Sequence, residues 1–140
     1  MDLSTTVATA IKTGAMAALG AQIDVAGAGA TLALYATTRP APNGAAGGSA
    51  MVTVNLDYPC GSAAAGVLTL ADTEFAQILN GGEAIWARLL DANDTWIADL
   101  SVGTPAMHAS DPATAEVVIA STTLYTGAFL ALIGAQIAGN

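Results

Sequence analysis

The residues that could carry chemistry are few and scattered. The single histidine, His108, stands in Met107-His108-Ala109-Ser110-Asp111, where a base, a hydroxyl and a carboxylate are close in sequence. A catalytic triad needs those side chains to converge through space, which sequence neighbours on one loop do not achieve. His108 therefore reads as a solvated loop histidine. Asp91, Asn93 and Asp94 resemble the opening of a calcium loop, but that loop continues with a glycine for the sharp turn and a distal glutamate. Asp91-Ala92-Asn93-Asp94-Thr95-Trp96 offers only the opening ligands, so a polar hairpin turn is the better account.

The remaining candidates fare no better. Cys60 is the only cysteine, so it makes no intrachain disulfide; with no histidine or cation near it in sequence, it reads as a small, partly buried residue. One Cys and one His far apart make no zinc site. Gly27-Ala28-Gly29 contains a Gly-x-Gly, yet no strand precedes it and no further glycine or phosphate-binding lysine follows, so it is predicted to be a flexible joint between helix and strand. Asp72 and Glu74 are a weak carboxylate pair, more in keeping with a solvated face than a catalytic dyad. Trp86 and Trp96 have the ring area to stack on a sugar or base, but such residues more often anchor a core or an interface. The sequence thus predicts no catalytic residues, no cofactor and no metal.

Composition points the same way. Only 10% of the 140 residues are charged, against about a quarter in ordinary soluble domains. A free monomer is kept soluble by a densely charged exterior, so this chain is predicted to spend its life packed against other protein. Eleven acidic residues against three basic ones give a net charge of −8, the wrong sign for a phosphate backbone, and nucleic-acid binding is not expected. Mean hydropathy is +0.57, but Gly, Thr, Gln, Asn and Asp interrupt every apolar stretch. The nearest approach to a membrane span, residues 124 to 138, is broken by Thr126, Gly127, Gly134 and Gln136. Met1-Asp2-Leu3 carries no basic region ahead of an apolar one, so folding in a cytoplasm is expected.

The elements that must position these residues follow from periodicity. Residues 5 to 23 place Val7, Ala10, Ile11, Ala18, Leu19 and Ile23 near one face at helical spacing, with Ser4 or Thr5 as N-cap. Gly14 and Gly20 each cost about 1 kcal/mol relative to alanine, so that helix needs packing partners. Period-two alternation then begins, with Leu32 and Leu34 opposed to Thr31, Ala33 and Tyr35. Thr38 to Ser49, rich in Pro and Gly, is predicted to be a loop that stays mobile until something grips it. Further strands are predicted at 50 to 57 and 67 to 70. Asp72 to Leu79 reads as a brief helical turn or irregular connection. A hairpin is predicted from 83 to 90 and 95 to 101 around Asp91-Ala92-Asn93-Asp94, apolar enough on both faces to sit centrally or at an interface. Gly103 to Pro112 reads as irregular, and Glu116 to Ser121 and Ala128 to Ile137 as the last strands. The expected domain organisation is one unit, with a helix or arm over 1–25 and a mainly β, antiparallel sandwich over 26–140.

Several elements in order carry a family resemblance over residues 22 to 140. They are Leu32-Ala33-Leu34-Tyr35, Thr38-Arg39-Pro40, the apolar strand Ala50 to Leu56, Trp86-Ala87-Arg88-Leu89-Leu90-Asp91 and Asp99-Leu100-Ser101-Val102-Gly103. In this combination the chain resembles the small capsid cement, or decoration, proteins of tailed phages and prophages. The resemblance implies a jelly-roll sandwich that clamps the outside of an HK97-type capsid, as a homodimer over two-fold and quasi-two-fold contacts between major capsid proteins, with no catalytic residues to carry over. Cys60 and the apolar C-terminal strand depart from that pattern.

The function expected from these observations is that of a structural virion protein on the capsid exterior, made in the host cytoplasm and interacting with neither nucleic acid nor membrane. Arg39, Pro40 and Pro42 in the long loop, Lys12 in an arm from Met1 to Lys12, and Trp86 and Trp96 are the candidate partner contacts. Two other readings are a tail, collar or fibre component, and a carbohydrate-binding sandwich with Trp86 or Trp96 as its stacking platform.

Overall fold

The computed structural model describes residues 5–71 and 75–138. The proposed Ser4 cap, the first four residues of the arm and the Asp72/Glu74 pair lie outside them, and so does the Val7 side chain.

Helix α1 runs Thr5–Ile23, as the spacing predicted, and Leu19 and Ile23 of the predicted face pack inward, but the rest of the docking seam is different. Ala10, Ile11 and Ala18 are exposed, whereas Gly20 and Ile23 are buried and Thr9, Thr13, Met16 and Leu19 are half-buried. Fit, more than apolarity, chose this seam. A Cβ on Gly20 would stand 3.4 Å from Leu68 Cδ1 and 3.8 Å from Cys60 Sγ, ordinary van der Waals contact, so this side of the helix faces Leu68 and Cys60 directly. Thr13 Oγ1 accepts the Gly66 N–H at 2.7 Å and donates to the Thr9 carbonyl at 2.9 Å, which makes a polar residue acceptable on the inner face. At the helix end the Asp24 carboxylate accepts the Cys60 N–H at 3.0 and 3.1 Å.

Twelve short strands follow among the described residues: β1 (Thr31–Tyr35), β2 (Val52–Asn55), β3 (Gly61–Ala64), β4 (Val67–Leu70), β5 (Ala76–Gln77), β6 (Gly82–Glu83), β7 (Trp86–Leu90), β8 (Trp96–Gly103), β9 (Val117–Val118), β10 (Thr123–Leu124), β11 (Phe129–Leu130) and β12 (Gly134–Ala138). Eight form one curled sheet in the order β2-β1-β7-β8-β9-β12-β4-β3, and two small ribbons, β10-β6 and β11-β5, stand beside it. Helix α1 packs on the β3–β4 hairpin. The chain is therefore mainly β with one long N-terminal helix. Both ends of the sheet feed one core: Val52 and Val54 of β2, Leu32 and Leu34 of β1, Leu89 of β7, Val117 of β9 and Leu68 of β4 are buried with Ile23 of the helix. Each such side chain contributes about 1.5–3 kcal/mol. The segment from Leu56 to Cys60 joins the two ends, with Leu56 N–H on the Ala30 carbonyl and Asp57 N–H on the Ala71 carbonyl.

Three parts differ from the sequence-based expectation. The pairing is not wholly antiparallel, because β8 and β9 run parallel with Val102 opposite Val117. Residues 104 to 116 form the crossover of a dozen or so residues that a parallel pair requires. That crossover contains a short helix, α2 (Pro105–Ser110), in the stretch read as irregular. Thr104 caps it by accepting from the Met107 N–H, and Pro105 occupies its first turn. Within 75–79 the chain is extended through β5, with no helical turn, since Ala76 pairs with Leu130. The single strand expected over 128–137 is two, β11 and β12, interrupted at Ala131, Leu132 and Ile133.

The joint at Gly27-Ala28-Gly29 is a packed crossing instead of a flexible link. A Cβ on Gly29 would lie 2.3 Å from the Leu56 carbonyl oxygen.

Candidate functional site

The sheet register builds a polar and aromatic cluster on the outer face of β1, β7 and β8. Tyr35 stands opposite Trp86, which stands opposite Ser101, and one step along Arg88 stands opposite Asp99. Tyr35 and Trp86 stack with ring centroids 4.6 Å apart and planes at 16°. The Arg88 guanidinium lies 5.1 Å over the Trp86 ring, a cation–π arrangement. It also grips Asp99 with both prongs, Nε to Oδ1 at 2.9 Å and Nη2 to Oδ2 at 3.2 Å. Trp96 Nε1 donates to Asp99 Oδ1 at 3.1 Å. Burial pushes the Asp99 carboxyl up, but the hydrogen bonds from Arg88 and Trp96 and the charges of Arg88 and Arg39 outweigh it, so the group sits below the ordinary carboxylate range.

The long loop folds down over this cluster. Arg88 Nη2 donates to the Gly44 carbonyl at 2.7 Å. Thr37 Oγ1 donates to the Ala46 carbonyl at 2.8 Å and accepts from Trp86 Nε1 at 3.3 Å. Arg39 Nη2 donates to the Asp99 carbonyl. The loop predicted to await an external grip is thus held by its own domain, which also explains how a hairpin apolar on both faces stays covered. Above the cluster a hollow of about 220 Å³ is lined by Arg39, Pro40, Pro42, Trp96, Ala98 and Asp99.

Four of the six sequence-predicted contact residues therefore meet: Arg39, Pro40, Pro42 and Trp96. Trp86 does not join them at the surface. It is fully buried, so of the roles offered to it the core anchor is the one its position fits, and it presents no ring face to a partner or a sugar. Lys12 is elsewhere, exposed on α1 with its Cβ against the Gly66 turn.

The residues considered for catalysis and metal binding are occupied with local structure. Asp91 is buried, and its Oδ1 accepts the N–H groups of Asn93 and Thr95, both at 2.9 Å, which makes it the organiser of the hairpin turn. Among the described residues no group of three or more His, Cys, Asp or Glu is arranged to hold a metal ion. His108 lies half-buried on α2, not on a solvated loop. Its Nδ1 is 2.8 Å from the Ala115 carbonyl, an acceptor only, so Nδ1 carries a proton. Asp111 does not orient that imidazole; its Oδ1 accepts the Ala113 N–H at 3.1 Å. Cys60 is buried, and burial together with the nearby Asp24 carboxylate pushes its thiol up to about 11, the opposite of an activated nucleophile.

A second surface escaped the sequence reading. Phe75 (72% exposed), Leu79 (66%), Tyr125 (72%) and Phe129 (68%) stand in solvent on and beside the β5–β11 ribbon. Phe129 pairs with Gln77, and Phe75 and Leu79 flank the short strand two residues to either side of Gln77. Tyr125 and Phe129 line a shallow hollow of about 320 Å³ floored by Ile78, Leu124 and Leu130. The spacing of Phe75 and Leu79 about Gln77 is the signal the sequence offers, obscured where that segment reads as a brief helical turn or irregular connection.

No described helix is long and apolar enough to cross a membrane. No protein-family model, curated protein or solved structure matches the chain.

Proposed function

We propose that the chain is a structural protein of a tailed-phage virion that binds the outside of an HK97-type capsid, stabilises contacts between major capsid proteins and converts no substrate. The observation that carries this reading is the group of four large apolar side chains left in solvent by a chain with only 10% charged residues. Large apolar side chains exposed on and beside one ribbon mark a place where protein meets protein. The sequence resemblance supplies the setting: cement proteins of tailed phages, that of a Bordetella phage among them, share the size and layout. In the finer form of the proposal the two halves of the curled sheet are the layers of a jelly-roll sandwich, and a homodimer sits over the two-fold contacts of the shell. A rigid body touching two capsid subunits gains avidity, because its second contact forms at high effective concentration.

Cryo-EM of purified virions tests the proposal. Density for the chain on the icosahedral faces supports it, and density confined to tail, collar or fibres replaces it with a tail role. Particles lacking the protein should rupture at lower temperature or internal pressure, and unchanged thresholds count against cementing. One observation favours a second reading, since half-buried Trp96 borders the hollow beneath Pro40 and Pro42. Glycan-array binding that vanishes in Trp96→Ala would turn that hollow into a carbohydrate site.

A further inference from the structure

Glu83 is connected to the apolar hollow through Thr123. It pairs with Thr123 across the β6–β10 ribbon, and Thr123 lines the same hollow as Tyr125 and Phe129. Its carboxylate is held in place: Thr122 Oγ1 donates to one oxygen and Thr123 Oγ1 to the other, the latter at 3.0 Å. Those hydroxyl bonds hold the group below the ordinary glutamate range, so it stays ionised and aimed while fully in solvent. The surface therefore has two parts, an uncharged hollow flanked by exposed Tyr125 and Phe129 and one oriented anion held by its lining residue Thr123. Residues 117 to 138 contain no Asp, Glu, Lys or Arg, so no cation of that segment neutralises the anion.

We propose that this surface docks a basic, apolar patch of another protein, with an apolar side chain entering the hollow beside Phe129 and a lysine or arginine meeting Glu83. The proposal rests on the virion reading above and names the face through which the chain would reach the shell. Charge argues for this occupant over a second copy. The chain has three cations; Arg88 is engaged by Asp99 and Gly44, and Arg39 by the Asp99 carbonyl. A second copy would bring only Lys12 and Arg39 to answer Glu83, the latter already held by a backbone carbonyl, along with eight further net negative charges. A partner with a basic rim meets an attractive field from the whole chain and a specific anion at the point of contact.

The test uses particles carrying the full chain. With p-benzoylphenylalanine in place of Phe129, illumination should cross-link the chain to the major capsid protein within a few residues of a lysine or arginine. Glu83→Lys should lower particle occupancy roughly tenfold or more and Glu83→Gln severalfold, with occupancy of the parent chain falling as salt rises. Both changes lie on an exposed side chain, so the melting temperature of the isolated variants, measured alongside, should stay at the parent value. Cross-links from position 129 to a second copy of the chain, or parent-level occupancy of Glu83→Lys, would overturn this docking face while leaving a chain that still decorates capsids. Absence of the chain from particles, or its restriction to the tail, would instead overturn the virion reading and the docking face with it.

Discussion

Arg88 and Asp99 stand opposite each other on neighbouring strands, 2.9 Å apart at Nε and Oδ1, and the same guanidinium reaches up to the Gly44 carbonyl of the covering loop. One ion pair thereby ties two strands and twelve residues of loop into a single body. The Asp99 side chain is 3% exposed and that of Arg88 12%, so neither charge has enough water to stand alone.

Asp99→Asn should lower stability by about 3 kcal/mol, because it leaves a nearly buried guanidinium without its counter-ion. Urea unfolding measures this loss. Limited proteolysis should show cleavage within residues 41 to 48 appearing earlier in the variant than in the parent, since the same change loosens the group that holds Gly44.

The pair also predicts a pH dependence. The folded Asp99 carboxyl lies below its ordinary value of 3.8, so the folded state binds that proton less readily than the unfolded chain. Its stabilising contribution is complete above the ordinary value and is lost as pH falls below it and through the lower folded one. The stability difference between parent and Asp99→Asn should stay constant from pH 7 to 5 and shrink below about pH 4. A gap unchanged down to pH 2 would mean that the pair contributes nothing through ionisation.

Cys60 works in the opposite direction. Its thiol is raised from 9.0 to about 11 in the folded chain, so the neutral form favours folding below pH 9 and that contribution disappears as pH rises through 11. Iodoacetamide should alkylate the folded protein far more slowly at pH 8.5 than the urea-unfolded chain, and Cys60→Ser should flatten the loss of stability between pH 9 and 11. Alkylation at equal rates would place the thiol in solvent.

Two glycines should respond with opposite signs. Gly14 has nothing within 4 Å of an added Cβ, so Gly14→Ala should raise stability by about 1 kcal/mol through helix propensity alone. At Gly29 an added Cβ would meet the Leu56 carbonyl oxygen at 2.3 Å, and the backbone must shift. Gly29→Ala should cost about 2 kcal/mol or more, measured by thermal or chemical unfolding.

What local pattern specifies was readable along the chain. Thr5–Ile23 is helical at the predicted bounds, the alternation in Val52–Asn55 placed Val52 and Val54 inside, and Asp91 organises the hairpin between β7 and β8 as its sequence signal indicated. Long-range placement was not readable in the same way. The face of α1 that docks depends on how Gly20 and Ile23 fit against the sheet residues they meet, Leu68 among them, a property of two surfaces. Trp86 and Trp96 looked alike as candidate anchors; one became core because Tyr35 stacks on it and the loop closes above it, and the other borders a hollow. Phe75, Leu79, Tyr125 and Phe129 gather only because β5 pairs with β11, more than fifty residues further along. Periodicity reports which way a side chain points from its own strand, whereas assembly of a surface depends on which distant strand arrives beside it, and that is a matter of packing across the whole molecule.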